Sequence, residues 1–265
     1  MTFTVSLWLG LHTDPPEMRE WDVTHQDLPA MNIAVLADFH FSDPEDLQNL
    51  AHIRRQMIGR DLDLVFFAGD FIGSTDLYRD VSRKQIVTAL EALALPTLSF
   101  AVLGNHDNWD SRTEWINAFS QSSIDLIENR IAVITVNDVK VCIRGVGDTY
   151  SGHSLDVQIP LSCNEKVITL THDPAGLIDA NGEIGSVSFA GHTHCGQIAF
   201  PFIGAPIVPT NAPKQLHCGR FDLGYPGIVS GGLGSSIIPI RFGPRTQPGW
   251  ELIRIQSLSE ASDSR

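Results

Sequence analysis

The sequence is short of paired cysteines, of positive charge and of long apolar runs, and each shortage excludes something. Its four cysteines are Cys142, Cys163, Cys195 and Cys218. None forms a Cys-x-x-Cys pair, and their spacing suggests no zinc ribbon. The expectation is reduced, mostly buried thiols. Cys195 stands apart because it directly follows His194, so a thiol there would sit beside that histidine and be open to oxidation. Lysine and arginine number 18 against 31 acids, a formal net charge of −13. Long-range repulsion therefore opposes general binding to nucleic acid or to an anionic membrane. It does not oppose a phosphate substrate, because acids clustered around cations reverse the local field. No apolar run is long enough to cross a bilayer, and the N-terminus lacks a charged, apolar and cleavable leader. The expected location is cytoplasmic, with peripheral attachment to the inner membrane left open.

What is present is a series of short apolar runs, each ending in a polar cluster. The hydrophobic fraction of 43% over 265 residues is ample for a buried core. Near the N-terminus Phe3, Val5, Leu7 and Leu9 alternate with polar residues as a strand would. Met31 to Ala37 leads into Asp38-Phe39-His40, and Leu64 to Ala68 into Gly69-Asp70. Leu98 to Leu103 leads into Gly104-Asn105-His106-Asp107, Val167 to Thr171 into His172-Asp173, and Val187 to Ala190 into Gly191-His192-Thr193-His194. Helices are expected after Asp43-Pro44, from about Arg79 to Leu93, and from Ser111, where Glu114 completes a capping-box pattern. Successive strand–loop–helix units are an α/β pattern, and in open α/β sheets functional groups gather beyond the C-terminal strand ends. A hairpin is expected around Asn137-Asp138, and a last strand from Trp250 to Ile255. No linker or repeat divides the chain, so a single domain over 1–265 is the simplest account.

Asp38, His40, Asp70, Asn105, His172, His192 and His194 make a mixed nitrogen and oxygen set. It suits Mn, Fe, Zn or Co better than Ca or Mg. Seven groups exceed one tetrahedral ion but serve two ions bridged by one carboxylate, for which Asp70 is the natural choice. Asp38 and His40 would converge because residues i and i+2 share a side of an extended chain. Two divalent ions about 3.5–4 Å apart activate water and clamp an in-line displacement at phosphorus. His106 is then free to protonate a leaving oxygen, with Asp107 to orient it. Arg241 has the planar fork that suits phosphate, or else forms a surface ion pair. A lone histidine at a strand end is more often structural, but five clusters in this order are a different matter.

Those five clusters resemble the calcineurin-like metallophosphoesterases, whose pattern is Asp-x-His, Gly-Asp, Gly-Asn-His-Asp/Glu, a separate His, and Gly-His-x-His. The resemblance spans a core of about 32–255. It implies an α/β four-layer sandwich, two mixed β-sheets face to face with helices outside. It also implies Asp38, His40, Asp70 and His194 on one metal, Asp70, Asn105, His172 and His192 on the other, and His106 as catalytic histidine. The metals would be Mn, Fe or Zn, with Mn favoured, and the substrate a phosphomonoester or phosphodiester. Gly73 stands where purple acid phosphatases have a Tyr ligand, and the Gly-Asp-x-x-Asp-Arg-Gly run of Ser/Thr protein phosphatases is absent. Gly196-Gln197 and the stretch from Gly232 to Phe242 are more similar to the bacterial YkuE/YaeI-like phosphodiesterase branch. That branch has relatives acting as UDP-2,3-diacylglucosamine pyrophosphatases. A non-catalytic scaffold on the same fold, binding partner proteins, is the alternative from another class.

Overall fold

Alternation in the strands decides the layering. In the computed structural model, which describes residues 15–73, 80–163, 165–178 and 186–258, six strands form a first mixed sheet. They are β1 (Glu17–His25), β2 (Met31–Leu36), β3 (Leu64–Phe67), β4 (Leu98–Ala101), β5 (Asp125–Leu126) and β12 (Gly249–Ser257). Their order is β1-β12-β2-β3-β4-β5, parallel from β2 to β5 and antiparallel only at β12–β2. The second sheet contains β6 (Arg130–Val136), β7 (Val139–Gly145), β8 (Val167–Leu170), β9 (Val187–Ala190), β10 (Gly219–Asp222) and β11 (Pro226–Val229), in the order β10-β11-β9-β8-β7-β6.

Ile33, Val35, Leu64, Phe66, Phe100 and Ile253 point from the first sheet at Val141, Ile143, Ile168, Leu170 and Phe189 of the second. Their neighbours in sequence, Ala34, Leu36, Val65, Phe67, Ala101 and Leu252, point the other way. There they meet the helices α1 (Pro44–Gln48), α2 (Leu50–Met57), α3 (Arg83–Ala94) and α4 (Asn105–Phe119). A strand buried on both faces carries an unbroken apolar run, which is why β2, β3 and β4 were legible. The outer face of the second sheet is covered by short 3-10 turns around Leu177 and Leu216 and by Ala212 and Phe221. Among the described residues no α-helix lies there, so that layer is thin. The architecture is the two-sheet α/β fold expected.

Several local expectations hold for the stated reasons. Asp43 caps α1 in a capping box with Asp46, and Pro44 takes the first turn. Asn137 and Asp138 take φ of 48° and 62° at the tip of the β6–β7 hairpin, a two-residue turn that needs positive φ. Ser111 is extended (φ −171°, ψ 92°) and breaks α4, so the capping signal there marks a real restart. One helical turn, carrying Asn105, His106 and Asp107, precedes it. The α3 helix begins after Ser82, which is capped with Gln85, later than expected from Arg79. The strand expected at Phe3 to Leu9 lies outside the described residues.

β1 had no clear apolar signal, since Val23 is its one fully buried residue. It is held at the sheet edge by polar contacts. Arg19 Nη2 lies 2.9 Å from a carboxylate oxygen of Glu251, a residue only 1% exposed. That carboxylate also accepts from Trp21 Nε1 at 2.7 Å and from Ser230 Oγ at 3.0 Å, so one buried acid joins β1, β12 and the loop after β11.

Candidate metal centre

All five polar clusters follow parallel strands, β2, β3 and β4 in one sheet and β8 and β9 in the other, and so leave the sheets at the same end. The chain converges there by turning left-handed. Asp38, His40, Asp70, His192 and His194 have φ of 53°, 50°, 52°, 69° and 49°. Asp and His enter this region more readily than bulky residues do, but each instance costs energy. Asp38 and His40 therefore converge through left-handed turns, not through the extended alternation expected. The loops are zipped together as they turn. The Asp38 N–H donates to Gly69 O at 3.0 Å, and the His40 N–H to Asp70 O at 3.1 Å. Close approach demands glycine at two facing positions. A Cβ on Gly69 would lie 2.5 Å from Gly104 N, and one on Gly104 would lie 2.1 Å from Asp70 Oδ1.

The result is two cradles that share one carboxylate. In the first, the Nε2 atoms of His40 and His194 are 2.9 Å apart, with Asp38 Oδ1 at 3.8 Å from His194 Nε2 and Asp70 Oδ2 at 3.7 Å from His40 Nε2. In the second, His172 Nε2 is 3.3 Å from Asp70 Oδ2, 3.2 Å from Asn105 Oδ1 and 3.2 Å from His192 Nδ1. His106 adds its Nε2 at 3.9 Å from Asp70 Oδ2. Three sets, Asp38/His40/His194, His40/Asp70/His106 and Asp70/His172/His192, each bring one ligand atom per residue within 4.8 Å of the others.

This density of lone pairs fits divalent cations. Asp38, Asp70, Asn105 and the four histidines are all below 8% exposed, so their carboxylates and ring nitrogens have little water to satisfy them. Burial drives His40 down to about 3, and burial with neighbouring positive groups also lowers His192 and His194. Those three rings are neutral, the form a cation needs. Burial lifts Asp38 to about 7. Burial opposes the charges of both Asp70 and His172, but their mutual attraction wins: Asp70 is held below the usual carboxylate range and His172 well above the usual imidazole range. Partners behind the rings fix their faces. His172 Nδ1 donates to Ala68 O at 2.6 Å, and His192 Nε2 donates to Pro209 O.

The calcineurin-like phosphoesterase profile matches residues 31–196, well over half of the chain. The chain belongs to the calcineurin-like phosphoesterase family. The uncharacterized metallophosphoesterase YkuE of Bacillus subtilis (strain 168) is 27% identical over 79% of this chain and 74% of its own length. The phosphodiesterase YaeI of Escherichia coli (strain K12) is 28% identical over 69% of this chain and 68% of itself. The putative metallophosphoesterase F40B5.2 of Caenorhabditis elegans is 30% identical over 67% of this chain but only 39% of its own length. This phosphoesterase is thus a phosphoric ester hydrolase of the bacterial YkuE/YaeI-like branch, with His and Asp clusters compatible with a binuclear metal site.

Three expectations about the phosphoesterase are corrected. Asp107 does not orient His106. Its carboxylate accepts the N–H groups of Gly104 and Phe71 at 2.9 Å and of Ile72 at 3.3 Å, tying the Gly-Asp loop to the first turn of α4. His106 Nδ1 is buried without a hydrogen-bond partner among the described residues. Arg241 is neither a phosphate contact nor a surface ion pair. It is 2% exposed, donates to Gly234 O at 2.9 Å, Gly231 O at 2.8 Å and Thr246 O at 3.0 Å, and places Nη2 2.8 Å from His194 Nδ1. It braces the back of His194, and burial lowers its guanidinium to about 10. The cysteines are not reduced thiols. Cys195 is joined to Cys218 and Cys142 to Cys163, pairings that sequence spacing could not reveal because loops bring the partners together. The Gly-rich stretch serves as tight turns: Gly232 and Gly234 pack against Asp38 and Phe39. Trp109 and Tyr150, beside the site, were not foreseen; neither carries a spacing signal.

Proposed function

We propose that this phosphoesterase is a two-metal phosphodiesterase, with Asp38, His40, Asp70 and His194 holding one cation and Asp70, Asn105, His172 and His192 the other. The observation that carries the reading is Asp70 itself, whose Oδ2 faces His40 at 3.7 Å on one side and His172 at 3.3 Å on the other. Manganese is the metal we favour, because the donor set mixes imidazole with carboxylate and amide oxygen. Bound divalent cations would supply Lewis-acid charge at the phosphoryl group and an acidified water as the nucleophile. The chain's own part is to hold the donors in place. Asp38 accepts the His192 N–H at 3.0 Å on each oxygen, and Asp70 Oδ1 accepts the His106 N–H at 2.9 Å. The second contact fixes His106 over the shared carboxylate. Its side chain is 9% exposed, so it faces the opening and can deliver a proton to the leaving oxygen. The diester preference rests on YaeI being a phosphodiesterase.

The cytoplasmic location expected from sequence is set aside in this reading. Two disulfides are the usual mark of an oxidising compartment. The test of the activity is hydrolysis of bis(p-nitrophenyl) phosphate with added manganese, for the wild type and for His106→Ala. The wild type turns over. The variant keeps two metals by elemental analysis while its kcat falls about 10²–10⁴-fold. A wild type that binds no metal and hydrolyses neither the diester nor p-nitrophenyl phosphate would support the scaffold alternative instead.

A further inference from the structure

Two large aromatic side chains beside the metal centre, Trp109 and Tyr150, keep much of their surface exposed. Trp115 and Trp250 are fully enclosed, whereas Trp109 is 61% exposed and Tyr150 is 44% exposed. Trp109 and Trp115 lie on either side of the Ser111 break in α4, one on the opening and one in the core. The Trp109 ring is 5.7 Å from His106 and 6.0 Å from Tyr150, and the Tyr150 ring is 4.6 Å from His192. Together the four rings form a continuous wall running from the second cradle outward past His106.

The wall is held in place without being covered. Asp148, fully buried, accepts the N–H of Tyr150 at 3.3 Å and of Ser151 at 2.7 Å. Asn108, next to Trp109, donates through Nδ2 to Ser151 Oγ at 2.9 Å, linking the two loops. Thr149 Oγ1 donates to Asp173 at 2.8 Å, anchoring the Tyr150 turn beside His172. Exposed aromatic faces forgo the gain of burial. Two of them fixed by a buried acid and a loop-to-loop hydrogen bond make a preorganised surface for a planar group.

We infer that Trp109 and Tyr150 form a subsite that stacks a planar aromatic ring, such as a nucleobase, carried on the leaving alcohol of the phosphoester. The side of the site is set by His106, which lies between the shared Asp70 and Trp109. A phosphoryl group on the cradles with its leaving oxygen toward His106 directs the rest of the alcohol onto the Trp109 face. This assignment of leaving-group chemistry rests on the two-metal reading above.

Calorimetric titration of the manganese-loaded chain with adenosine 5′-monophosphate and with ribose 5-phosphate tests it. The two share the phosphate and differ by the base. Adenosine 5′-monophosphate should bind about tenfold more tightly or better, as expected for stacking on an exposed aromatic. Trp109→Ala should abolish the advantage and Trp109→Phe should keep most of it, while ribose 5-phosphate binds all three forms alike. Equal affinity of the two ligands for the wild type, binding of neither, or an advantage that survives Trp109→Ala would overturn the subsite. Failure of the wild type to hydrolyse bis(p-nitrophenyl) phosphate, with the affinity difference intact, would overturn the phosphodiesterase reading and leave the ring site standing.

Discussion

The two cradles share Asp70 but are backed differently. Behind the second, His172 and His192 each give their outward N–H to a main-chain carbonyl, Ala68 and Pro209. Such backing fixes the ring and makes the inward nitrogen a better donor. Behind the first, His194 Nδ1 faces the Arg241 guanidinium at 2.8 Å, and His40 Nδ1 is buried with no hydrogen-bond partner among the described residues. A fixed positive charge behind a ligand opposes a cation in front of it. The comparison teaches that near-identical donor sets need not be equal: the second cradle should hold its cation firmly and the first should exchange.

The strongest way to break this picture is to remove what the cradles share. Asp70→Asn should leave at most one manganese per chain by elemental analysis and lower turnover by at least about 10²-fold, since a ligand counts for no less than an outer partner. Two ions retained in that variant would disprove the shared carboxylate. A smaller effect separates the halves. At pH 8, His194→Ala should keep one ion through brief dialysis against a chelator, whereas His172→Ala should keep none. The difference expected is about 10–100-fold in affinity. The reverse order would show that Arg241 strengthens its cradle.

How much of this was legible in the sequence follows from burial. β2, β3, β4, β8 and β9 are packed on both faces, so their apolar runs and the polar clusters at their ends could be read directly. Among the described residues β1 pairs with β12 alone, and it buries little besides Val23, so periodicity had nothing to report. Gly- and Pro-rich turns likewise masked β10 and β11. The residues we propose as ligands were readable as candidates because each follows a strand. The supporting residues were not, because Asp107 and Arg241 are occupied by main-chain groups that only the folded loops bring within reach. Chemistry-bearing side chains advertise a role by type, and whether that role faces a substrate or a carbonyl is decided by tertiary packing. The same holds for Cys195 and Cys218, 23 residues apart in sequence.

The mildest test is pH, and its sign differs between the cradles. In the metal-free chain Asp38 titrates at about 7, against about 3.9 for an unperturbed aspartate. A raised carboxyl contributes stability at low pH that is lost as pH rises through 7. His172 and Asp107, both raised well above their usual values, act in the same direction. His40, His192 and His194 are lowered, so their contribution is complete above the ordinary imidazole value near 6.5 and is lost only as pH falls below it. Metal-free stability should therefore peak near pH 6.5 and decline toward pH 8, read as a falling Tm. A cation entering the first cradle must displace the Asp38 proton, so its affinity should rise about tenfold per unit below pH 7 and level off above it. In the second cradle the proton on His172 persists past 7, so affinity there should keep climbing through pH 8. Manganese titrations of His194→Ala and His172→Ala across pH 6 to 8.5 would resolve the two slopes. One common slope would mean that the shared Asp70 couples the cradles into a single proton-linked unit.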